Sequence, residues 1–544
     1  MAELTDPTPK RLHTPSRRSL LVGGAASVAA FALAPAASAS TTRRAPTFLR
    51  QSPSAVRSLE TATVRGWAAD TWRSLVAMTD PRTGLPADNI PASLAAGDRS
   101  GYTSPTNIGG YLWSTIVARE LGIITRGEAS ARLIRTLKTV ERMEHHTPSG
   151  MYYNWYDEAT GAALHSWPGS GDKVYPFCSS VDNGWLGAAL LVVQNSDPAA
   201  ATWARRIFER MRWDAFYNDN SDPAHLVRPG GLIHGGFFPG EHNRPGGVYQ
   251  GTHIGGDPVW LTTHHYDTTV SETRITSYLG IITGQIPAKQ YFAMWRTFPA
   301  TCDWSWHEMQ PVGEHRTYYG IDVYEGAYTY RGMRIVPGWG GSMFEELMPD
   351  VFVDEAAWAP SSWGRNHPLH VRAQREHGLV EADYGYWGFS PSSNPAGGYR
   401  EYGVDALGLN PTGYMSDQQS TNYDPGFGTC RAATNATPRY GDGVVTPHAS
   451  FLAMMHEPDE AFTNLVNIQT DFGSYDVGGF FDAVAVRSKK VAERYLSLDQ
   501  AMVMGAIGNV LGNDVIRRGF STRAVERALR PVIGVEEFGA SPRA

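Results

Sequence analysis

Apolar residues recur at spacings of three and four along much of the chain, which is the pattern of helices that bury one face. Residues 56–78 show it clearly, with Trp67, Trp72 and Leu75 on one face. The same spacing predicts further helices at 108–121, 129–143, 185–193, 199–211, 271–282, 449–455, 459–470 and 498–511. Repeated helix pairs with elaborate loops indicate one large all-α domain, with a helical toroid as its arrangement.

Two long stretches interrupt the helices, residues 229–257 and 388–440, and both are dense in Gly, Pro, Asn, Asp and aromatic residues. Loops of this length in a compact domain are usually functional. We predict a single domain over residues 55–535, a linker at 40–54 and a C-terminal tail at 536–544.

The first 39 residues have the features of a twin-arginine export signal. The run SRRSLL at 16–21 leads into an apolar stretch over 20–35, and ASA at 37–39 matches a signal-peptidase site. A membrane anchor is the alternative, but an apolar run of roughly 16 residues is shorter than the roughly 20 that span a bilayer. We therefore predict a cleaved signal and a secreted protein, extracellular or periplasmic.

Composition and missing motifs disfavour several classes of partner and of catalytic chemistry. With 47 Lys and Arg against 54 Asp and Glu, the net charge of −7 disfavours nucleic acid as a partner. The motifs GxxxxGK[ST], HExxH and GxSxG do not occur, which disfavours nucleotide, metalloprotease and serine-hydrolase chemistry. Cys178, Cys302 and Cys430 are too few for a disulfide scaffold, although one bridge could form. We expect no cofactor and no catalytic metal.

Several acids stand alone among glycine and aromatic residues, and each has a plain structural reading as a helix cap, a turn residue or a buried group. Together they fit the hydrolysis of glycosidic bonds, which needs one protonated and one ionised carboxyl group. Aromatic side chains in the same segments would stack on sugar rings. The acids are Asp182, Glu272, Glu345, Asp442 and Asp499, and the aromatic residues are Trp113, Trp155, Trp185, Trp339, Trp387, Tyr386 and Tyr399.

An ordered series of motifs then resembles a known family. TSPTNIG at 103–109, NWYD at 154–157, SSVD at 179–182, SETR at 271–274 and GSMFE at 341–345 resemble the glycosidase-like domain of cyclic β-1,2-glucan synthases. WGFS at 387–390, GYREYG at 398–403, DGVVTP at 442–447 and SLDQ at 497–500 continue the series. These domains form a glycoamylase-like superfamily that includes the endo-β-1,2-glucanases of glycoside hydrolase family 144.

The resemblance implies an (α/α)6 toroid with a cleft at one end, and a glycoside hydrolase acting on an oligo- or polysaccharide, above all a β-1,2-linked glucan. It implies Glu272 as the general acid, with Asp499 as the first and Asp442 as the second choice for the base. In transglycosylating relatives Glu345 would be the nucleophile. The implied substrate-binding residues are Asn107, Trp155, Asp182, Arg274, Trp387 and Tyr399.

This chain departs from the family at a few positions. SETR replaces the usual SEAR, Asn394 stands where the glucanases commonly have a carboxylate, and residues 229–257 resemble an insertion. Export and the lack of transferase segments favour an inverting hydrolase. The alternatives are a transglycosylase, an exo-acting glycosidase for another cell-surface polysaccharide, and a non-catalytic glycan-binding protein, which the acids Glu272 and Asp499 disfavour.

Overall fold

The computed structural model describes residues 53–240, 247–252, 256–298, 309–409 and 440–540. It divides into two compact units, residues 1–64 and 65–544, and residues 53–64 are the described part of the first. The predicted export signal, Cys302 and Cys430 lie outside the described residues, whereas Cys178 is a buried free thiol. Among the described helices, none combines the length and the apolar character that crossing a bilayer requires.

Fifteen α-helices occur in the described ranges. They are α1 (Pro53–Met78), α2 (Pro105–Glu120), α3 (Arg126–Arg142), α4 (Ser180–Ser196), α5 (Ala201–Glu209), α6 (Arg274–Ile282), α7 (Lys289–Ala293), α8 (Met343–Leu347), α9 (Glu355–Trp358), α10 (Trp363–Glu376), α11 (Pro447–Ala453), α12 (Pro458–Phe472), α13 (Ser497–Leu511), α14 (Val515–Phe520) and α15 (Arg523–Ile533). Each helix predicted from the apolar spacing is present, so the helical part of the all-α prediction is confirmed.

Short strands accompany the helices and form small antiparallel sheets, the largest having the order β4-β7-β9-β8. They are β1 (Asn89–Pro91), β2 (His145–His146), β3 (Met151–Tyr152), β4 (Cys178–Ser179), β5 (Tyr217–Asn218), β6 (Leu232–His234), β7 (Gly236–Pro239), β8 (Val248–Thr252), β9 (Pro258–Thr262), β10 (His265–Tyr266), β11 (His315–Tyr318), β12 (Ile321–Tyr324), β13 (Tyr328–Tyr330), β14 (Met333–Ile335), β15 (Ser392–Ser393), β16 (Tyr399–Arg400), β17 (Val444–Val445), β18 (Tyr475–Asp476), β19 (Gly479–Phe480), β20 (Ala483–Ala485), β21 (Lys490–Ala492) and β22 (Arg494–Leu496). The segment predicted as a loop at 229–257 therefore contains strands: β6 pairs with β5 and β10, and β7 and β8 both pair with β9. Their β-branched and aromatic residues favour this pairing.

Side-chain caps fix where the helices of the site begin. Ser104 accepts a hydrogen bond from the backbone N–H of Asn107, and Pro105 opens α2. Ser179 caps α4 through the N–H of Asp182. Ser342 and Glu345 form a reciprocal capping box at α8. The caps thus place three of the predicted site residues in first helical turns.

Six helices of the second unit contact one another in a cyclic order. Helix α2 packs against α4 and α13, α4 against α6, and α11 against both α8 and α13. Arg274 of α6 bonds to two backbone carbonyls of α8, which completes the cycle. Glycines allow the closest approaches, because a Cβ at Gly109 of α2 would lie 2.9 Å from the carbonyl oxygen of Trp185 in α4. Six helices of this unit therefore follow one another in a closed cycle of contacts.

Candidate active site

Three glutamates, Glu272, Glu345 and Glu401, come together where three chain segments run side by side. A parallel bridge pairs Val270 with Gly338, and another pairs Gly338 with Gly408. Glu272 follows the first segment, Glu345 follows the second and Glu401 precedes the third. The charges of Glu272 and Glu345 both raise the pKa of Glu401, so the three carboxyl groups share one region. Sequence analysis identified the first two as candidates.

Glu345 is a buried acid at the start of α8 with hydrogen bonds from the backbone. The N–H groups of Gly340 and Ser342 donate to its Oε2 at 3.0 and 3.3 Å. Burial raises its pKa, these bonds oppose the rise, and the nearby charge of Glu272 adds to it. The result is a pKa of about 7, so this carboxyl group changes its protonation state near neutral pH.

Glu272 lies in the turn that leads into α6 and is half-buried. The indole Nε1 of Trp185 donates to its Oε2 at 2.7 Å. Trp185 is itself fully buried in α4, where its ring lies 5.6 Å from that of Phe352. A rigid donor therefore fixes the orientation of the carboxyl group that sequence analysis named as the acid.

Glu401 is the acid to which sequence analysis gave no role. Its Oε1 is buried and has no hydrogen-bond partner among the described residues. Burial, followed by the charges of Glu345 and Glu272, raises its pKa to about 8. The GYREYG motif contains Glu401. The place of this side chain, however, depends on the contact of Gly403 with Gly340, which lies about 60 residues earlier in the chain.

Arg274 is not a substrate contact, contrary to the prediction, because its guanidinium is completely buried. It forms a bidentate ion pair with Glu355, with Nε to Oε1 at 2.7 Å and Nη2 to Oε2 at 2.8 Å. It also donates to the backbone oxygens of Glu345 at 2.8 Å and Glu346 at 2.6 Å. Arg274 therefore holds the start of α8 against α6, so it positions Glu345 relative to Glu272.

Asp182 and Trp155 are brought together through Asn154. Thr106 Oγ1 donates to Asp182 Oδ1 at 2.7 Å. In the amide orientation that satisfies both neighbours, Asn154 donates to Asp182 Oδ2 at 2.6 Å and accepts from Trp155 Nε1 at 3.0 Å. The Trp155 ring contacts Tyr102 at 5.4 Å and Trp167 at 5.1 Å. Trp155 and Asp182 are themselves only 6% and 1% exposed, so neither presents a free face to a substrate. Tyr102 and Trp167 are half-buried, so the surface that this cluster offers to a sugar belongs to these two rings, and sequence analysis missed Trp167.

Asn107 and Trp387 belong to the interior, which corrects their prediction as substrate-binding residues. The Asn107 amide is 1% exposed and donates to Asp88 Oδ1 at 2.9 Å. Trp387 is 2% exposed, and its backbone pairs with the side-chain amide of Asn464. The rings of Trp113, Trp185 and Tyr386 are buried as well. Side chains so enclosed have no face on which a sugar could stack.

Asp499 opens α13 in a buried group with His448 and Asp482. Its Oδ2 lies 3.6 Å from His448 Nδ1, and ligand atoms of the three residues fall within 4.8 Å of one another. Asp482 Oδ2 accepts from the backbone N–H of Ser393 at 2.6 Å, and Ser393 pairs with Tyr399 in the β15–β16 hairpin. One histidine and two aspartates at this spacing could hold a metal ion.

Asp442 closes a turn with Ser488, whose backbone N–H and hydroxyl each donate to one of its carboxylate oxygens at 2.6 Å. Both carboxylate oxygens of Asp442 are thus occupied by hydrogen bonds of this turn. Between the two C-terminal candidates for a base, the structure favours Asp499, which is buried beside a histidine.

Comparisons with known proteins agree with the motifs. Residues 264–523 match the family model Glycoamylase, described as "Putative glucoamylase", and residues 66–234 match a second model, "Protein of unknown function (DUF3131)". Over 272 residues, 48% of this chain, it is 26% identical to the cyclic beta-(1,2)-glucan synthase NdvB of Rhizobium meliloti (strain 1021). The resemblance is confirmed. The match spans only 8% of the length of that glycoamylase-like relative.

Solved structures of two glucanases share the fold. An endo-beta-1,2-glucanase from Chitinophaga pinensis, in complex with sophorotriose and glucose, is 15% identical with a TM-score of 0.57, covering 87% of this chain and 98% of that one. A beta-1,2-glucanase from Parabacteroides distasonis is 15% identical with a TM-score of 0.58, covering 88% of this chain and 60% of that one. At such identities the likeness concerns the fold.

Proposed function

We propose that this protein is a glycoside hydrolase that cleaves a β-glucan, with β-1,2-linked glucan as the preferred substrate. One observation carries the proposal: Glu272 and Glu345 share a region at the starts of neighbouring helices, and the pKa of Glu345 is raised to about 7. Glycoside hydrolysis needs two neighbouring carboxyl groups, one protonated and one ionised. Because Glu272 and Glu345 interact, their titration belongs to the pair, and the assignment of Glu272 as the acid comes from the motif that contains it. The glucanase fold and the glucan synthase relative support the substrate class.

The proposed reaction uses the two groups in turn. Glu345 attacks the anomeric carbon while Glu272 donates a proton to the departing glycosidic oxygen. Water then hydrolyses the glycosyl–enzyme bond, with Glu272 accepting the proton from that water. This sequence retains the anomeric configuration. It differs from the sequence-based hypothesis of inversion, in which Asp499 is the first choice for the base. We prefer Glu345 as the partner because its segment runs beside that of Glu272.

Product stereochemistry tests the assignment of the second carboxyl group. Proton NMR of the first product should show the retained anomer. A Glu345→Ala variant supplied with azide should form a glycosyl azide, because the small anion occupies the place of the lost carboxylate. An inverted first product from the wild type would transfer the role of second carboxylate to Asp499.

Substrate screening tests the reaction itself. Release of reducing ends should be fastest on β-1,2-glucan in a panel that also contains β-1,3-glucan, α-1,4-glucan and an arabinan. Glu493→Gln, which changes an exposed glutamate between β21 and β22, is the matched control and should retain wild-type rates. Binding of an oligosaccharide without release of reducing ends would instead indicate a glycan-binding protein.

Transglycosylation is the second candidate function, because the pairing of Glu272 with Glu345 is the one implied for transglycosylating relatives. A glycosyl–enzyme intermediate can pass its sugar to another glucan instead of to water. Chromatography of the products would show longer or cyclic glucans in that case, and shorter linear glucans for the hydrolase.

We also propose that the protein is exported through its twin-arginine signal. Replacing Arg17 and Arg18 by lysine should leave the protein in the cytoplasm, whereas the unchanged chain should be recovered outside it with residue 40 at its N-terminus. Equal distribution of both forms between the fractions would contradict export by this route.

A further inference from the structure

Glu401 is held beside the loop that contains Glu345. It lies between β16 and a short 3-10 turn at Asp405–Leu407. The backbone N–H of Val404 donates to the carbonyl oxygen of Gly341 at 3.1 Å. A Cβ at Gly403 would collide with the carbonyl oxygen of Gly340, whose N–H donates to Glu345. This close backbone contact fixes where the side chain of Glu401 begins.

The carboxyl group of Glu401 differs from its two neighbours in having no donor. Glu345 accepts from two backbone N–H groups and Glu272 from an indole, whereas Oε1 of Glu401 is buried without a partner in the described residues. Within the described part of the chain, the charged groups that act on it are the carboxylates of Glu345 and Glu272. Arg400, next to it in the chain, is exposed. Of the three acids, Glu401 therefore has the least stabilisation for a negative charge.

A carboxyl group that keeps its proton becomes a hydrogen-bond donor, and a buried one without a partner favours a ligand that supplies an acceptor. Sugars offer hydroxyl and ring oxygens at short spacing. Since Glu272 and Glu345 are the groups proposed to flank the scissile bond, a sugar ring bound there would lie next to Glu401.

We propose that Glu401 is a third carboxyl group of the active site, and that in its protonated form it donates a hydrogen bond to an oxygen of the sugar bound between Glu272 and Glu345. The proton is shared in this hydrogen bond and is not transferred. The inference rests on the proposed glycoside hydrolase function, and it assigns Glu401 to substrate recognition.

Two substitutions separate the donor from the charge. Glu401→Gln keeps a hydrogen-bond donor of the same shape but cannot ionise. Glu401→Leu has a similar size and no donor. At pH 7 we expect kcat/KM to remain within about threefold of the wild type for Glu401→Gln, and to fall by about 10- to 100-fold for Glu401→Leu.

The pH dependence adds a readout that a purely structural role would not change. In the wild type, kcat/KM should fall as the pH rises through about 8, because Glu401 then loses its proton and adds a charge beside Glu345 and Glu272. Glu401→Gln should lack this part of the alkaline decline. Full activity of Glu401→Leu, or an unchanged alkaline decline in Glu401→Gln, would overturn the proposal.

Infrared spectroscopy tests the proton without any substrate. The difference spectrum between the wild type and Glu401→Gln should contain a protonated-carboxyl C=O band that disappears with a midpoint near pH 8. The difference spectrum between the wild type and Glu493→Gln should lack it. Failure of every polysaccharide with the wild type would remove the proposed function, whereas absence of the infrared band would remove the proposal for Glu401.

Discussion

Glu345 and Glu346 are adjacent in α8 and both are buried, yet their pKa values shift in opposite directions. Glu346 accepts from the side-chain amide of Asn366 at 3.1 Å and lies 2.7 Å from Nδ1 of His367. Burial alone would raise its pKa, but the bond and the charge from His367 lower it. Burial and the like charge of Glu272 raise the pKa of Glu345 by more than its hydrogen bonds from Gly340 and Ser342 lower it. The groups around each carboxyl group thus decide in which direction its pKa shifts, although the two side chains are identical.

The same contrast separates two groups of acids. The framework cluster contains Glu346, Asp350 and Glu355 with Arg274, His367 and Arg517. Arg274 and Arg517 each lie 2.7 Å from their carboxylate, and the acids raise the pKa of His367 to about 9. Three cations therefore balance three anions, which leaves little reason for a metal ion to bind there. Glu345, which is buried, and Glu401, which is half-buried, have no cationic partner among the described residues. Acids with raised pKa values and no cation beside them are candidates for functional sites.

Removing the acid is expected to have the largest effect. Glu272→Gln should reduce kcat/KM on the best glucan by about 10³-fold, because general acid assistance is typically worth about 10²- to 10⁴-fold. Circular dichroism should show an unchanged fold. Wild-type activity in this variant would contradict the assignment of Glu272.

Breaking the framework cluster should damage stability. Arg274→Met leaves Glu355 buried without its cation, which costs about 3–5 kcal/mol in comparable ion pairs. Urea denaturation should show that loss as a lower midpoint. The double variant Arg274→Met with Glu355→Leu removes both charges and should recover much of the stability. An unchanged midpoint for the single variant would show that the pair is not what holds α6 to α8.

Nine of the fifteen described helices were predicted from sequence, because the spacing of apolar residues is a local signal. The helices α7 to α10, α14 and α15 were not predicted. The predicted 271–282 and 498–511 correspond to α6 and α13 within a few residues. The start of α6 moved to Arg274, since Glu272 occupies the preceding turn. The strands near 229–257 were missed because each of them pairs with another strand, and the local pattern does not contain that partner.

The sequence motifs predicted which residues belong to the site, but not the contacts and the burial of those residues. Motifs identified Glu272, Glu345 and Asp499, which lie at helix starts. They also marked Arg274 and Trp387, whose roles are structural because both are buried. Glu401 was overlooked since its unpaired carboxyl group results from contact between two distant loops. Partnering and burial follow from tertiary packing, which a single sequence does not display.

Glu401→Gln should change how the stability of the protein depends on pH. The folded pKa of about 8 exceeds the ordinary value of 4.5, so the folded state binds more protons than the unfolded state between these values. Wild-type stability therefore declines as the pH rises across this window. The variant should equal the wild type near pH 4 and exceed it by a few kcal/mol near pH 8, at about 1.4 kcal/mol for each pKa unit. Thermal unfolding at both values measures this difference, and equal melting temperatures at pH 8 would contradict it.

Trp185→Phe should have the smallest effect, a loss in kcat/KM of about tenfold, because it removes one hydrogen bond to Glu272. The pH profile should also move upward, since the ionised carboxylate loses a donor. Trp113→Phe is the matched control, because this buried indole donates to the backbone oxygen of Ala501 at 2.8 Å. Both variants should lose stability, but only Trp185→Phe should shift the profile.

Glu272 and Glu345 stand on or beside the opening turns of packed helices, and this has an evolutionary consequence. Caps such as Ser179 and Ser342 anchor these turns independently of the loops that precede them. A lineage could therefore lengthen, shorten or exchange those loops while the reacting groups keep their positions. Glucans of other linkages would then become accessible through changes outside the helices, with the catalytic step inherited intact.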